Sequence, residues 1–271
     1  MPDTSGAHLR PVFVISSGRS GSTLVQRLLN CHRELVVWGE HFGFLETAAG
    51  ALAQMHNPEQ KHYPLNPGSN RGLARLQYGL SDPAAPLEWV NPWSAEEYAQ
   101  QLRSFTEGYF AARVPAGRRW GFKEIRYNGM GPLRGLMLLY PHGRFVFVQR
   151  DIVEVTRSKV YAFVKESNRN QLSPAQQRHR LRGMLVEVQR HYQVYDRFMR
   201  RYPGVGLRLD YESLLVAPGS EIARVLTHLE LDPAAFDGAL AAQVMASTIT
   251  STRRDEALLS MIREVLVQMP S

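Results

Sequence analysis

The sequence predicts an α/β domain in which a central parallel sheet is flanked by helices in three layers. Short apolar runs alternate along the chain with segments of helical periodicity. The apolar runs are continuous, as expected of strands that are buried on both faces of a parallel sheet. A chain of 271 residues with 44% hydrophobic content can bury the core of one such domain. We therefore expect residues 1–271 to form a single domain.

The first predicted strand is residues 11–16, with the sequence PVFVIS. A glycine- and serine-rich turn follows at residues 18–23, and a helix comes directly after it. The helix buries one face, made of apolar residues at helical spacing: Leu24, Val25, Leu28 and Leu29. A second strand is predicted at residues 34–38.

Further strands are predicted at residues 119–125, 144–149 and 206–209. The clearest helix begins after Ser173, where Ser-Pro-Ala-Gln is a capping-box pattern with proline at the first helical position. Its apolar stripe is interpreted as core packing alone: Leu181, Met184, Leu185, Val188, Tyr192, Tyr195 and Phe198. A second amphipathic helix contains Ile222, Val225, Leu226 and Leu229.

Residues 50–91 are rich in proline, asparagine and glycine, and their periodicity is weak. This composition is typical of loops and short helices. We expect a variable insert on the substrate side at about residues 50–115. A surface excursion without function is the alternative, because loops tolerate added length readily.

The net charge of +7 and the pI of about 9.7 suit an anionic ligand, although solubility alone also explains them. The basic residues are spread along the chain, so nucleic-acid binding is not expected. Cys31 is the only cysteine and cannot form an internal disulfide. Neither a signal peptide nor an apolar run long enough to span a membrane is visible, so we expect no membrane span and a cytoplasmic protein.

Residues 17–23 join a buried strand to a helix, so backbone N–H groups and the positive helix end converge on one point. This arrangement is P-loop-like and predicts an anion site. The loop departs from G-x-x-x-x-G-K-[ST] at two places, where Ser16 replaces the first glycine and Ser22 the lysine. Its cation is Arg19, inside the loop.

The run from Arg19 to Leu24, RSGSTL, resembles the 5′-phosphosulfate loop of PAPS-dependent sulfotransferases, in particular the bacterial and protein-tyrosine branches. PAPS is adenosine 3′-phosphate 5′-phosphosulfate. The resemblance implies a P-loop-like fold and a PAPS donor without a metal. It implies that the donor is held by this loop: Gly18, Arg19, Ser20, Gly21, Ser22 and Thr23.

Two more segments resemble this family. Arg150 ends a predicted strand and Ser158 lies eight positions later, which implies that both hold the 3′-phosphate of the donor. Tyr211 lies in a segment similar to the family's strand-Tyr-Glu-x-Leu pattern, which implies a place near the adenine. Without the resemblance, Arg150 has an alternative as a surface ion pair with Asp151, and Tyr211 as a core residue.

The resemblance also implies the catalytic residues. Glu40 follows the second strand near the position of the general base, and His41 is the rival base. Arg19 and Lys123 are candidates for stabilising the leaving phosphate, although Lys123 has an ion pair with Glu124 or another acid as its alternative. Arg253 and Arg254 are candidates for a basic loop over the 3′-phosphate, with a plain surface loop as the alternative.

The predicted function is transfer of a sulfuryl group from PAPS to a hydroxyl acceptor, with an amine as the second choice. The acceptor is a small molecule, a sugar or a peptide; its identity and the oligomeric state do not follow from the sequence. A P-loop kinase is an alternative, opposed by the missing lysine of the loop. A noncatalytic module that binds polyanions is a second alternative. The spacing of the histidines does not suit a metal site, so we expect no bound metal ion.

Overall fold

The structure is a computed structural model that describes residues 6, 9–57, 94–164, 171–247 and 255–269. Its five strands form one parallel sheet in the order β2-β3-β1-β4-β5. The strands are β1 Val12–Ser16, β2 Leu35–Trp38, β3 Arg119–Glu124, β4 Arg144–Gln149 and β5 Gly206–Asp210. Together with helices on both faces, this sheet confirms the predicted α/β fold.

Ten α-helices lie in the described part of the chain. They are α1 Ser22–Leu29, α2 Phe44–Met55, α3 Ala95–Phe110, α4 Met130–Leu139, α5 Ile152–Phe163, α6 Pro174–Arg201, α7 Tyr211–Val216, α8 Pro218–Leu229, α9 Gly238–Ala246 and α10 Glu256–Val267. Short 3₁₀ turns occupy Ala111–Arg113 and Pro233–Ala235. None of the helices in these ranges is both long and apolar enough to cross a membrane.

The central strands are buried along their whole length, which explains their continuous apolar runs. Alternate residues of β1 face two different layers. Val12 and Val14 pack in an aliphatic layer with α1 and α8. Phe13 packs in an aromatic layer with α2, α4 and α6, and its ring centroid lies 4.9 Å from that of Phe145. The loops at the ends of these strands are therefore carried by a sheet that is rigidly packed on both faces.

The predicted capping box of α6 is confirmed. The Ser173 hydroxyl accepts the Gln176 N–H, the Gln176 side chain accepts the Ser173 N–H, and Pro174 is the first helical residue. Two backbone donors that have no intrahelical partner are thereby satisfied.

The segment of residues 50–91, predicted to form loops and short helices, begins in a helix. Residues 50–55 belong to α2, whose Leu52 is fully buried in the aromatic layer. Small residues dominate α2, so its apolar periodicity was weak. A Cβ on Gly135 of α4 would lie 1.8 Å from the Ala49 carbonyl oxygen, so glycine is needed where the two helices meet. Residues 58–93 lie outside the described residues, and the variable insert at about residues 50–115 stays a prediction.

The chain order places a switch point between β1 and β4. The chain leaves β1 towards β2 on one side of the sheet and leaves β4 towards β5 on the other. In open α/β sheets, ligands bind at the carboxyl ends of the strands at such a point. The loops after β1 and β4 carry the predicted phosphosulfate turn and Arg150.

Candidate functional site

The turn between β1 and α1 has the backbone of an anion cradle. Arg19 and Gly21 both adopt positive φ, at 74° and 87°, and Gly21 caps α1. The buried hydroxyls of Ser17 and Ser20 lie 2.7 Å apart and hold the turn from inside. The first N–H groups of α1 therefore face the cleft with the positive end of the helix behind them.

Tyr211 packs directly against this turn. A Cβ on Gly21 would lie 2.1 Å from the Tyr211 ring, so only glycine fits between the turn and the tyrosine. The Arg150 guanidinium lies over the same tyrosine ring, 4.8 Å from its centroid. Three residues that were predicted from separate segments thus meet at one place.

Arg19 and Ser158 are also brought together. The Arg19 Nε donates to the Ser158 Oγ across 3.1 Å, which joins the turn after β1 to α5. Asp151 caps α5 by accepting the Glu154 N–H. The acids nearest to the Arg150 guanidinium are Glu154 and Glu212, at 3.5 and 3.8 Å. Arg150 Nε is buried and has no hydrogen-bond partner in the described part of the chain.

Tyr192 has a role that the sequence analysis missed. Its hydroxyl accepts the Arg150 N–H and donates to the Arg150 carbonyl, both at 2.9 Å. It also lies 3.3 Å from the Ser20 Oγ. Burial raises the pKa of Tyr192, and hydrogen bonds from Ser20 and Arg150 partly offset this. The prediction of core packing alone is therefore wrong for this residue, whose hydroxyl ties the first turn to the end of β4.

Glu40 follows β2 and lies beside the end of β3. Its Oε1 lies 2.5 Å from Lys123 Nζ, and its Oε2 lies 3.2 Å from Arg126 Nη1. Partial burial pushes the pKa of Glu40 upwards, but the bonds and charges of Lys123 and Arg126 outweigh it and lower the pKa. Lys123 thus forms an ion pair with an acid, as its alternative predicted, and that acid is Glu40 and not Glu124.

His41 points away from the cleft into the aromatic layer. Its side chain is 2% exposed, and its ring lies 4.6 Å from the Phe122 ring and 4.8 Å from the Phe44 ring. Burial lowers the pKa of His41, although the Glu124 charge acts against this. Glu40 is therefore the residue of this pair that faces the cleft.

One cleft, with a volume of about 1240 Å³, connects these groups. Among the residues that the structure describes, seven basic and three acidic side chains line it, so its electrostatic potential suits an anionic ligand. Four of the basic residues were not predicted: Arg27, Arg126, Arg157 and Arg263. Arg27 was missed because an isolated arginine on a helix belongs to no recognisable motif.

The placement of two predicted residues is not described. Arg253 and Arg254 lie outside the described residues. Across the described ranges, no group of three or more histidine, cysteine, aspartate or glutamate residues is placed to hold a metal ion.

The family model described as "Sulfotransferase family" matches residues 11–235. No curated protein matches the chain significantly by sequence. A sulfotransferase from Alicyclobacillus acidocaldarius shares its fold, with a TM-score of 0.52 and 16% identity over 96% of this chain and 94% of that one. The sulfotransferase domain of the Synechococcus PCC 7002 olefin synthase gives 0.49 and 18% over 96% of both chains. Retinol dehydratase in a complex with retinol and PAP gives 0.43 and 19% over 97% and 73%.

Proposed function

Because the chain belongs to the sulfotransferase family, as its match over residues 11–235 shows, we propose that it uses PAPS to sulfate a hydroxyl group, with Glu40 as the general base. The observation that carries this proposal is that three predicted groups of residues share one cleft. The phosphate-binding turn, Arg150 with Ser158, and Glu40 with Lys123 all line it. An anion cradle and a carboxylate base thus open onto the same space.

The residues on one side of the cleft fit a nucleotide with phosphates at both the 5′ and the 3′ position of its ribose. The backbone N–H groups of residues 18–23 suit the 5′-phosphosulfate. Arg150 and Ser158 suit the 3′-phosphate, and the Nε of Arg150 makes no hydrogen bond with a described residue, although it lies 3.8 Å from Glu212 Oε1. Tyr211 lines the cleft beside the turn, and the adenine would lie near it. When bound, PAPS supplies an activated sulfuryl group.

The other side of the cleft is suited to removing a proton. Despite partial burial, Lys123 and Arg126 lower the pKa of Glu40, so its carboxylate is ionised at neutral pH and can accept the proton of an acceptor hydroxyl, although the same two cations make it a weaker base. Its side chain is 32% exposed and so can be reached from the cleft. Lys123 and Arg19 place positive charge near the turn, where negative charge accumulates as the leaving phosphate separates.

Donor binding is tested by thermal shift. We expect PAP (adenosine 3′,5′-bisphosphate, the donor without its sulfuryl group) to raise the melting temperature without magnesium. ATP with magnesium should have a smaller effect. Stabilisation by ATP with magnesium but not by PAP would contradict the proposed donor and support a kinase.

The base is tested by Glu40→Gln, with transfer of labelled sulfate from PAPS to a panel of phenols, alcohols and amines. Removing a general base lowers the rate by about 10²- to 10⁴-fold, and the affinity for PAP should stay nearly unchanged. Glu256→Gln is the matched control, because Glu256 is another acid in the lining of the same cleft. Equal activity in the two variants would remove Glu40 from this role.

A further inference from the structure

The loop that carries Glu40 has an unusual backbone. Phe42 and Gly43 adopt positive φ in succession, at 58° and 74°. This conformation is costly for a phenylalanine, because its Cβ crowds the backbone in the left-handed region. The Phe42 side chain is 85% exposed, so burial in the core does not compensate for the strain. Another interaction must hold the loop in this shape.

Glu124 supplies that interaction from the end of β3. Its carboxylate is completely buried. One oxygen accepts the N–H groups of His41 and Gly43, at 3.2 and 3.0 Å, and the other accepts the Ile125 N–H at 2.8 Å. The residues on either side of Phe42 are thus fixed to a single carboxylate. A buried carboxylate satisfied in this way forms strong, charge-assisted hydrogen bonds.

Arg126 extends the connection to Glu40 itself. Its Nη1 lies 2.5 Å from Glu124 Oε1 and 3.2 Å from Glu40 Oε2. Its guanidinium also lies over the exposed Phe42 ring, 5.5 Å from the centroid. Arg126 therefore joins the buried carboxylate, the strained residue and the carboxylate that faces the cleft.

We propose that Glu124 and Arg126 are positioning residues for the base: Glu124 fixes the backbone of residues 41–43, and Arg126 fixes the carboxylate of Glu40. The inference rests on the proposed function, in which Glu40 is the base. Lys123 holds the opposite oxygen of Glu40, so the two cations together determine where the carboxylate points.

Other charged groups surround the loop and contribute to its titration. His41 is adjacent in sequence and Glu46 lies on α2, where burial and then the Glu124 charge raise its pKa. Arg19 and Arg27 line the same cleft from the turn and from α1. A test of the Arg126 contact must therefore follow the titration of the Glu40 carboxyl separately from that of the other groups.

The test is a ¹³C NMR titration of the Glu40 carboxyl in protein labelled at glutamate, with the resonance assigned by its loss in Glu40→Gln. In Arg126→Gln the midpoint should move to higher pH, because a cation that favours the ionised form is gone. In Arg126→Lys it should stay close to the wild-type value. Arg113→Gln is the control, since Arg113 lies over the Tyr109 ring instead. An unchanged midpoint in Arg126→Gln would overturn the Arg126 contact.

The contact of Glu124 with the backbone is tested by hydrogen exchange in Glu124→Gln. The amides of His41 and Gly43 should exchange at least about tenfold faster, because their charge-assisted acceptor is lost. The rate of sulfuryl transfer should fall by about tenfold as Glu40 becomes misplaced, while the affinity for PAP stays within about twofold. Unchanged exchange would overturn the proposal for Glu124.

The results separate this inference from the proposed function. If Glu40→Gln keeps full activity, the base assignment fails whatever the Arg126 variants show. If Glu40→Gln is inactive but the Arg126 and Glu124 variants titrate, exchange and transfer like the wild type, the positioning roles alone fail. Should Glu124→Gln not fold, the Arg126 variants decide, because Arg126 is 36% exposed and tolerates substitution.

Discussion

The two sides of the cleft are built in different ways. The cradle of the proposed donor side is a local structure, which residues 17–23 form with their own backbone and with the end of the helix that follows. The acceptor side is held from a distance, since Glu40 depends on Lys123 and Arg126, which lie more than eighty residues further along the chain. Substitutions should therefore affect donor affinity on the first side and reaction rate on the second.

The largest effect is expected for Gly21→Ala. The added Cβ would lie 2.1 Å from the Tyr211 ring at a φ of 87°, so the turn must open. We expect PAP affinity, measured by calorimetry, to fall by more than about a hundredfold. Gly117→Ala is the matched control, because Gly117 also has a positive φ, 80°, but its Cβ would meet no atom within 4 Å and it does not line the cleft. Equal affinities would show that the turn does not bind the donor.

Arg150→Ala should have the next largest effect. Loss of a charged hydrogen bond to a phosphate costs about 1.5–3 kcal/mol, or about tenfold to a hundredfold in affinity. PAP should bind more weakly by this factor, whereas AMP, which lacks the 3′-phosphate, should bind almost as before. Arg224→Ala is the control, because its guanidinium bonds Glu221 on α8. A similar loss for AMP would contradict the assignment of Arg150 to the 3′-phosphate.

Tyr192→Phe should have the smallest effect. It removes the hydroxyl that joins Ser20 to the backbone of Arg150, and each such bond contributes about 0.5–1.5 kcal/mol. We expect a lower melting temperature and a several-fold loss of PAP affinity. Tyr195→Phe is the control, because its buried hydroxyl has no hydrogen-bond partner within the described ranges. If both variants behave alike, Tyr192 only fills the core.

The sequence predicted the donor side more fully than the acceptor side. Buried strands and the glycine-rich turn leave local patterns, so β1, α1 and the cradle could be located without a structure. The assignment of Ser158 to the site came from the family resemblance, and its contact with Arg19 was not predicted. Glu124 was considered only as an ion-pair partner of Lys123. Its bonds to the backbone of residues 41–43 are long-range, and no spacing in the sequence encodes them.

Tyr192 was missed for a related reason. It continues an apolar stripe on α6, and periodicity reports which face of a helix is buried without showing what the tip of a side chain contacts. The helix α2 was missed because its small residues weaken the periodicity of its buried face.

A crystal structure with PAP bound tests the central claim most directly. We predict that the 5′-phosphate lies on the backbone N–H groups of residues 18–23 and the 3′-phosphate beside Arg150 and Ser158, with Glu40 facing the 5′ end across the cleft. A nucleotide bound in the opposite direction, or bound away from the turn, would contradict the division of the cleft into a donor side and an acceptor side.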